Sequence, residues 1–99
     1  MSQSVALMQV VQQKEGQIVS DMAGERVMLS IENGKYYNLG ELGGEIWDKI
    51  DKPKAVRDLI DDLLEIYEVE RSVCEEQVQS FLNHLKEENL IEVKEKASE

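Results

Sequence analysis

Residues 25–39 read ERVMLSIENGKYYNL, two short β-prone runs separated by an Asn-Gly pair. The first run alternates apolar and polar residues, which is typical of a strand with one covered face. Asn33-Gly34 is the strongest two-residue hairpin signal, because both central positions of such a turn need a positive φ. The stretch therefore predicts an antiparallel hairpin whose second strand is Lys35–Leu39. Successive side chains of that strand alternate between its two faces, and we expect Leu39 to point inward.

The segments on either side of the hairpin predict further strands and then helices. Upstream, Val5–Val11 and Gln17–Ser20 are rich in the β-branched and apolar residues that strands favour. Downstream, three segments carry apolar residues at three- and four-residue spacing, which is typical of amphipathic helices. These helical segments are Glu41–Ile50, Lys54–Tyr67 and residues 72–88.

The third helical segment has signals at both of its ends. Ser72 and Glu75 have the Ser-x-x-Glu form of a capping box, which predicts that the helix begins at Ser72. Asn89 is expected to end the helix. Leu90–Val93 is then expected to form a short final strand.

Together these elements predict an α+β fold, in which an N-terminal antiparallel β-sheet is followed by three α-helices. This is the plan of a winged helix-turn-helix domain. The chain has 99 residues, which supports one domain, because two cores would leave each half near the lower limit for independent folding. We expect a single domain over residues 1–99 with an ordered core at about residues 5–93.

The charge of the chain bears on its partners. Eleven Lys and Arg residues face 21 Asp and Glu residues, which gives a formal net charge of −10. Such a surface repels nucleic-acid phosphates and anionic lipid, and it favours a basic partner. The apolar runs are too short to span a membrane, and residues 1–13 lack the features of a signal peptide, so we expect a cytoplasmic protein.

The residues that catalysis needs are scarce. His84 and Cys74 are the single histidine and the single cysteine. They lie in the same predicted helix about 15 Å apart along its axis, which is too far for a Cys–His nucleophilic pair. Cys74 is expected to be a small core residue, and His84 to face solvent. The glycines form no phosphate-binding motif. We therefore expect no catalysis, no metal and no cofactor.

A winged helix can bind DNA through its third helix, but the charges argue against that interpretation. The third predicted helix carries four glutamates against one lysine. A duplex-binding surface needs several Lys and Arg residues to neutralise phosphates. A DNA-binding regulator therefore stays only as the less favoured hypothesis.

The same scaffold can instead bind an extended peptide. An edge strand has unpaired backbone groups, which a peptide can complete by strand addition. Lys35–Leu39 is the natural edge, and the apolar side of the third helix would form one wall of a groove beside it. The wall candidates are Val78, Phe81, Leu82 and Leu85. For Leu82 and Leu85 the alternative is that they belong to the hydrophobic core.

Two stretches make the chain resemble the PqqD-like family. They are Asn33–Gly40, with its paired tyrosines, and Gly44–Trp47, with its Ile-Trp pair. The resemblance extends over about residues 10–93. The segments Val19–Met22 and Val27–Ser30 are similar to the standalone members found in lasso-peptide gene clusters of Gram-positive bacteria. Gly40-Glu41 departs from the usual pattern, which leaves the N-cap of the first helix open.

The resemblance implies a RiPP recognition element, a domain that binds the leader segment of a ribosomally made precursor peptide. The leader would add as an antiparallel strand and lie against the third helix. Carried onto this sequence, the peptide-binding residues are those of the strand and of the helix wall: Lys35, Tyr36, Tyr37, Asn38, Leu39, Val78, Phe81, Leu82 and Leu85.

The resemblance also implies partners. In the lasso type the leader carries a Tyr-x-x-Pro element, and the acidic charge of this chain predicts basic residues flanking it. The expected clients are a leader peptidase with a cysteine nucleophile on a separate chain and an ATP-dependent macrolactam synthetase. The alternative within the same family is a chaperone for the precursor of pyrroloquinoline quinone.

Overall fold

The computed structural model describes residues 7–22 and 25–94, except for the side chain of Met22. The described elements alternate between strands and helices along the chain. They are β1 (Val10–Gln13), β2 (Gln17–Met22), β3 (Glu25–Ser30), β4 (Lys35–Asn38), α1 (Gly40–Lys49), β5 (Lys54–Ala55), α2 (Val56–Ile66), α3 (Arg71–Glu87) and β6 (Ile91–Lys94). The α+β class and the order of a sheet followed by three helices agree with the prediction.

The strands form two antiparallel sheets of three strands each. One sheet has the order β2-β3-β4, and the other has the order β5-β1-β6. In the second sheet β1 is central, with Val11 opposite Val93 of β6 and opposite Lys54 of β5. The predicted final strand is therefore confirmed, and it joins the two ends of the described chain.

The first strand is shorter than the predicted Val5–Val11. It begins at Val10, Leu7 and Met8 lie in a turn, and Val5 and Ala6 lie outside the described residues. This turn contacts the start of α2, because the Leu7 carbonyl accepts a hydrogen bond from the Arg57 N–H at 3.1 Å. Arg57 is in the first turn of α2, whose N–H groups lack partners within the helix.

The hairpin between β3 and β4 is confirmed, but its turn differs from the prediction. Four residues, 31–34, connect the strands, since Ser30 pairs with Lys35. Gly34 has a φ of 67° and donates its N–H to the Ser30 carbonyl at 2.8 Å. Among the described non-glycine residues only Asn89 has a positive φ, so Asn33 does not adopt the two-residue turn conformation.

The helices begin and end close to their predicted positions, with two differences. Lys54 and Ala55, which were expected in the second helix, form β5, so α2 begins at Val56. The capping box is wrong, because α3 begins at Arg71 and its N-cap, Glu70, makes no side-chain hydrogen bond. Glu75 instead accepts a hydrogen bond from Nε of Arg71 at 3.0 Å. The Glu75 carboxylate, which a capping box would use at the helix N-terminus, is therefore paired with the Arg71 side chain.

Helix α3 stops two residues before Asn89, which agrees with the prediction that Asn89 ends the helix. Asn89 has a φ of 65° and donates its N–H to the Lys86 carbonyl at 3.0 Å. Leu90 donates its N–H to the Leu85 carbonyl at 2.9 Å. These two bonds and the positive φ make a Schellman motif, which directs the chain from α3 into β6.

The hydrophobic core is formed mainly by one face of each helix. Met28 on β3 and Val11 on β1 add to it from the two sheets. The other core residues are Leu39, Ile46, Trp47, Ile50, Val56, Leu59, Ile60, Leu63, Cys74, Val78, Leu82, Leu85, Leu90 and Ile91. Among the helices in the described ranges, none is both long enough and apolar enough to cross a membrane.

Candidate functional site

Strand β4 lies at the edge of its sheet. In the part of the chain that the structure describes it pairs with β3 alone, through Val27 opposite Asn38 and Leu29 opposite Tyr36. The Leu39 N–H donates to the Arg26 carbonyl at 2.8 Å, which continues the pairing by one residue. One row of β4 backbone groups therefore faces away from the sheet.

The register identifies the β4 residues whose backbone faces the open edge. Bonded and non-bonded pairs alternate along an antiparallel ladder. Since Leu39 is bonded to β3, the bonded residues of β4 are Tyr37 and Lys35. The N–H and C=O groups of Tyr36 and Asn38 are then the ones that point outward, where an added strand would meet them.

The side chains of this strand alternate as predicted. Tyr36 is 74% exposed and Asn38 is exposed, on the outer face of the sheet. Tyr37 is half-buried, and Leu39 is only 7% exposed, as expected for an inward residue. The first helix has no side-chain N-cap on its preceding residue, but Asn38 Oδ1 accepts a hydrogen bond from the Gly40 N–H at 3.0 Å.

An open groove of about 710 Å³ lies between the start of α1 and the exposed face of α3. Leu39, Leu42, Gly43 and Phe81 give it an apolar floor, and the rim beside them is polar. We call this site the groove, and its lining residues are Leu39, Leu42, Gly43, Glu76, Gln77, Ser80, Phe81 and His84. A smaller depression of about 510 Å³ along α3 shares Glu76, Ser80 and His84 with it.

The structure corrects the predicted helix wall. Phe81 is half-buried and lines the groove. Val78, Leu82 and Leu85 are at most 1% exposed and belong to the core, so they have no surface to offer a peptide. Their burial agrees with the alternative left open for Leu82 and Leu85. The cause is that α3 turns these three side chains toward the other helices, whereas Phe81 lies at the margin of that buried face.

Several groove residues were not predicted from the sequence. Gln77 and His84 lie four residues before and three residues after Phe81, and Ser80 lies at helical spacing from both of them. Spacing relative to Phe81 could have identified Gln77 and His84. Leu42 and Gly43 had no comparable signal, because their place in the groove depends on how α1 packs against α3.

Gly43 allows α1 and Phe81 to approach each other closely. A Cβ atom at this position would lie 2.9 Å from both Cε1 and Cζ of Phe81. Real Cβ contacts are longer than this, so a larger residue would move the ring. The next residue, Gly44, faces the other way, where a Cβ would lie 2.6 Å from Cγ of Arg26.

Arg26 ties β3 to α1 next to this contact. Its guanidinium makes two hydrogen bonds of 2.7 Å with the carboxylate of Asp48 and an ion pair of 2.5 Å with Asp21. The hydrogen bond with Asp48 raises the pKa of Arg26 above its ordinary value. The sheet that contains β4 is thereby attached to the helix that forms one side of the groove.

A second set of polar contacts joins β4 to the end of α3. The Tyr37 hydroxyl donates to Oε1 of Glu88 at 2.7 Å, and Asn33 Nδ2 donates to the Tyr37 hydroxyl at 3.1 Å and to the Glu88 carbonyl at 2.8 Å. Nζ of Lys35 lies 3.6 Å from the same Glu88 carboxylate. We call these four residues the brace. The hydrogen bond from Tyr37 lowers the pKa of Glu88.

His84 lies where the brace meets the groove. Its ring contacts the edge of the Tyr37 ring, with centroids 6.4 Å apart and planes inclined at 74°. It is exposed, as predicted, but it is also part of the groove lining. The rings of Tyr37 and His84 therefore form one side of the space between β4 and α3.

Cys74 is placed as predicted, in the core and 4% exposed. Burial raises the pKa of its thiol, which disfavours the thiolate that a nucleophile or a metal ligand requires. Within residues 7–22 and 25–94, no three His, Cys, Asp or Glu side chains are grouped closely enough to hold a metal ion.

Comparison with known proteins gives a family match and two structural matches. The family described as Coenzyme PQQ synthesis protein D (PqqD) matches residues 25–91. A structure described as "TbiB1 in Complex with the TbiA(beta) Leader Peptide" is 25% identical, with a TM-score of 0.73 over 82% of this chain and 94% of that chain. "Lasso peptide synthetase B1 complexed with the leader peptide" is 22% identical, with a TM-score of 0.72 over 83% of this chain and 96% of that chain.

Among curated proteins no match was found. The PqqD match nevertheless covers more than half of the 99 residues, and it includes the β3–β4 hairpin, all three helices and the groove between α1 and α3. The chain therefore belongs to the PqqD family.

Proposed function

We propose that this protein binds the leader segment of a precursor peptide by adding it as an antiparallel strand to β4. The observation that carries the proposal is the coincidence of an unpaired strand edge with an apolar groove directly beside it. The two similar structures support it, since both are complexes with leader peptides. Strand addition supplies affinity through main-chain hydrogen bonds, and adjacent pockets supply specificity through alternate side chains.

The register defines how the leader would bind. Its backbone would pair with the outward N–H and C=O groups of Tyr36 and Asn38. Alternate leader side chains would then point to the groove, where Leu39, Leu42 and Phe81 offer apolar contact. A leader with an aromatic or proline residue at such a position, as in a Tyr-x-x-Pro element, fits that chemistry.

The charge of the chain indicates what flanks the apolar part of the leader. Glu76 lines both the groove and the depression along α3, and Glu87 lines the depression. These carboxylates, together with the net charge of −10 of the chain, favour lysine or arginine in the leader. Stopped-flow binding should show that added salt slows association more than it speeds dissociation, because steering by charge acts on the encounter. Equal association rates in low and high salt would contradict this part of the proposal.

The role we infer is non-catalytic presentation of the precursor in lasso-peptide maturation. Burial of Cys74 disfavours its thiolate, and we infer that a separate cysteine peptidase cleaves the leader. Holding the leader raises the effective concentration of the rest of the precursor at that enzyme and at a macrolactam synthetase.

A second candidate is supported by the description of the matched family. That description names coenzyme PQQ synthesis, which favours a precursor chaperone of the same binding mode for pyrroloquinoline quinone. The precursor encoded beside the gene separates the two roles, since a lasso core and a Glu/Tyr pair are different sequences.

The experiment that tests the proposal is a titration with a fluorescein-labelled synthetic leader taken from that precursor. Saturable binding, read as a rise in fluorescence anisotropy, is expected. Absence of binding, together with tight and salt-sensitive binding to a DNA duplex in a gel shift, would overturn the proposal in favour of a regulator.

A further inference from the structure

The β3–β4 hairpin carries the proposed pairing edge, and a set of polar contacts joins it to the end of α3. These contacts are the brace, formed by Asn33, Lys35, Tyr37 and Glu88. Three of these residues come from the hairpin and one from the residue that follows α3. The brace therefore connects the two elements between which a leader would lie.

The brace contacts are of a kind that fixes position. The Tyr37 hydroxyl both donates to the Glu88 carboxylate, at 2.7 Å, and accepts from Asn33 at 3.1 Å. Hydrogen bonds with one charged partner are shorter and stronger than neutral ones. The Tyr37 ring is in turn held against His84 of α3. The hydroxyl has two hydrogen-bond partners and the ring packs against the core and His84, so this side chain has little freedom.

We propose that Tyr37 and Glu88 are positioning residues for the leader, because they set the separation between the open edge of β4 and the groove-lining face of α3. A leader must pair with the strand and contact the helix at the same time, so it requires a defined gap. Tyr37 points to α3, whereas the backbone that would bind the leader belongs to its neighbours Tyr36 and Asn38. Tyr37 thus acts through the strand and not by contact. This inference rests on the proposed function.

The test compares the affinities of three single variants and one double variant for the fluorescein-labelled leader. Tyr37→Phe and Glu88→Ala remove the bond, whereas Glu88→Gln keeps an oxygen that can accept it. We expect the first two to weaken binding roughly 10- to 150-fold, which is the range that one charge-assisted hydrogen bond corresponds to. Glu88→Gln should keep most of the affinity. The double variant Tyr37→Phe/Glu88→Ala should lose no more than either single variant.

Matched controls separate this role from a general effect on stability. Tyr67→Phe and Glu92→Gln make the same chemical changes outside the brace and the groove, and they should bind the leader like the wild type. Melting temperatures are measured for all variants in parallel. If the brace variants only melt at lower temperature and keep wild-type affinity while folded, the inference is contradicted and the proposed function stands. If the wild-type protein does not bind the leader, the proposed function itself fails.

Discussion

The ring of Phe81 lies against the backbone of Gly43, so close that a Cβ atom on the glycine would come within 2.9 Å of Cε1 and Cζ. This contact joins α1 to α3 at the floor of the groove, where both residues are part of the lining. The absence of a side chain at one position therefore determines where the aromatic side chain of the other can lie.

Gly43→Ala should change the groove more than it changes stability. The added methyl group pushes the half-buried ring of Phe81 outward, while alanine gains about 1 kcal/mol of helix propensity over glycine. We expect a melting temperature near that of the wild type and a weaker affinity for the leader. Gly44→Ala is the comparison variant, because its methyl group would press on Arg26, which attaches β3 to α1, and not on Phe81. Equal affinity of Gly43→Ala and wild type would show that the ring position does not matter.

Phe81 and Leu82 are neighbours in sequence with different expected roles. Leu82 is fully buried, so Leu82→Ala should lower the free energy of unfolding by about 2–5 kcal/mol through lost contacts and a cavity. Phe81→Ala should cost less stability, because the ring is only half-buried, but it should weaken leader binding strongly. Urea unfolding and anisotropy titration measure the two effects. If Phe81→Ala destabilises the fold as much as Leu82→Ala and binds the leader normally, Phe81 belongs to the core and not to the leader-binding wall.

Tyr36→Pro tests strand addition through a single backbone N–H. The Tyr36 N–H points to the open edge, so proline there leaves the bonds between β3 and β4 intact and removes a donor that a leader would use. We expect at least a several-fold loss of affinity relative to Tyr36→Ala, which removes the same side chain but keeps the N–H. Circular dichroism checks that both variants fold. Equal affinities of the two folded variants would argue against pairing at this edge.

Glu88 should make stability depend on pH. The hydrogen bond from Tyr37 lowers its pKa below the ordinary value of 4.5, with a further contribution from the charge of Lys35 and an opposing one from partial burial. A lowered folded pKa means that the contribution to stability is present above the unfolded pKa and is lost as the pH falls through the folded value. The difference in unfolding free energy between wild type and Glu88→Gln should therefore be larger at pH 7 than at pH 3.

Urea unfolding at the two pH values measures this difference. Glu92→Gln provides the comparison for the general effect of removing one carboxylate from an acidic chain. The loss of unfolding free energy in Glu88→Gln is first corrected by the loss in Glu92→Gln. If the corrected loss is the same at pH 7 and pH 3, the brace does not stabilise the charged form of Glu88.

The sequence predicted the elements that depend on local signals. The hairpin and the three helices follow from the Asn-Gly pair, from alternation and from helical spacing, and Asn89 was expected as the helix stop. The length of β1 was not predictable in this way, because its partners are Lys54–Ala55 and β6, both distant in sequence. The capping box failed for a similar reason, since an ion pair with Arg71 competes for Glu75.

The candidate site was predictable as a strand and a helix but not residue by residue. Helical spacing shows that Val78, Phe81, Leu82 and Leu85 lie on one broad side of α3. It does not show which part of that side the other helices cover. In the structure they cover three of the four, and Phe81 is left at the margin with Gln77, Ser80 and His84. The brace also depends on tertiary contact, because Asn33 and Glu88 are 55 residues apart.

The central claim is that a leader pairs with the outward backbone of β4, and amide hydrogen exchange measured by NMR tests it most directly. The N–H groups of Tyr36 and Asn38 should exchange quickly in the free protein and become strongly protected when the leader is bound. Those of Lys35 and Tyr37, which face β3, should change much less. Leader binding that leaves the Tyr36 and Asn38 amides as exposed to exchange as before would contradict the account.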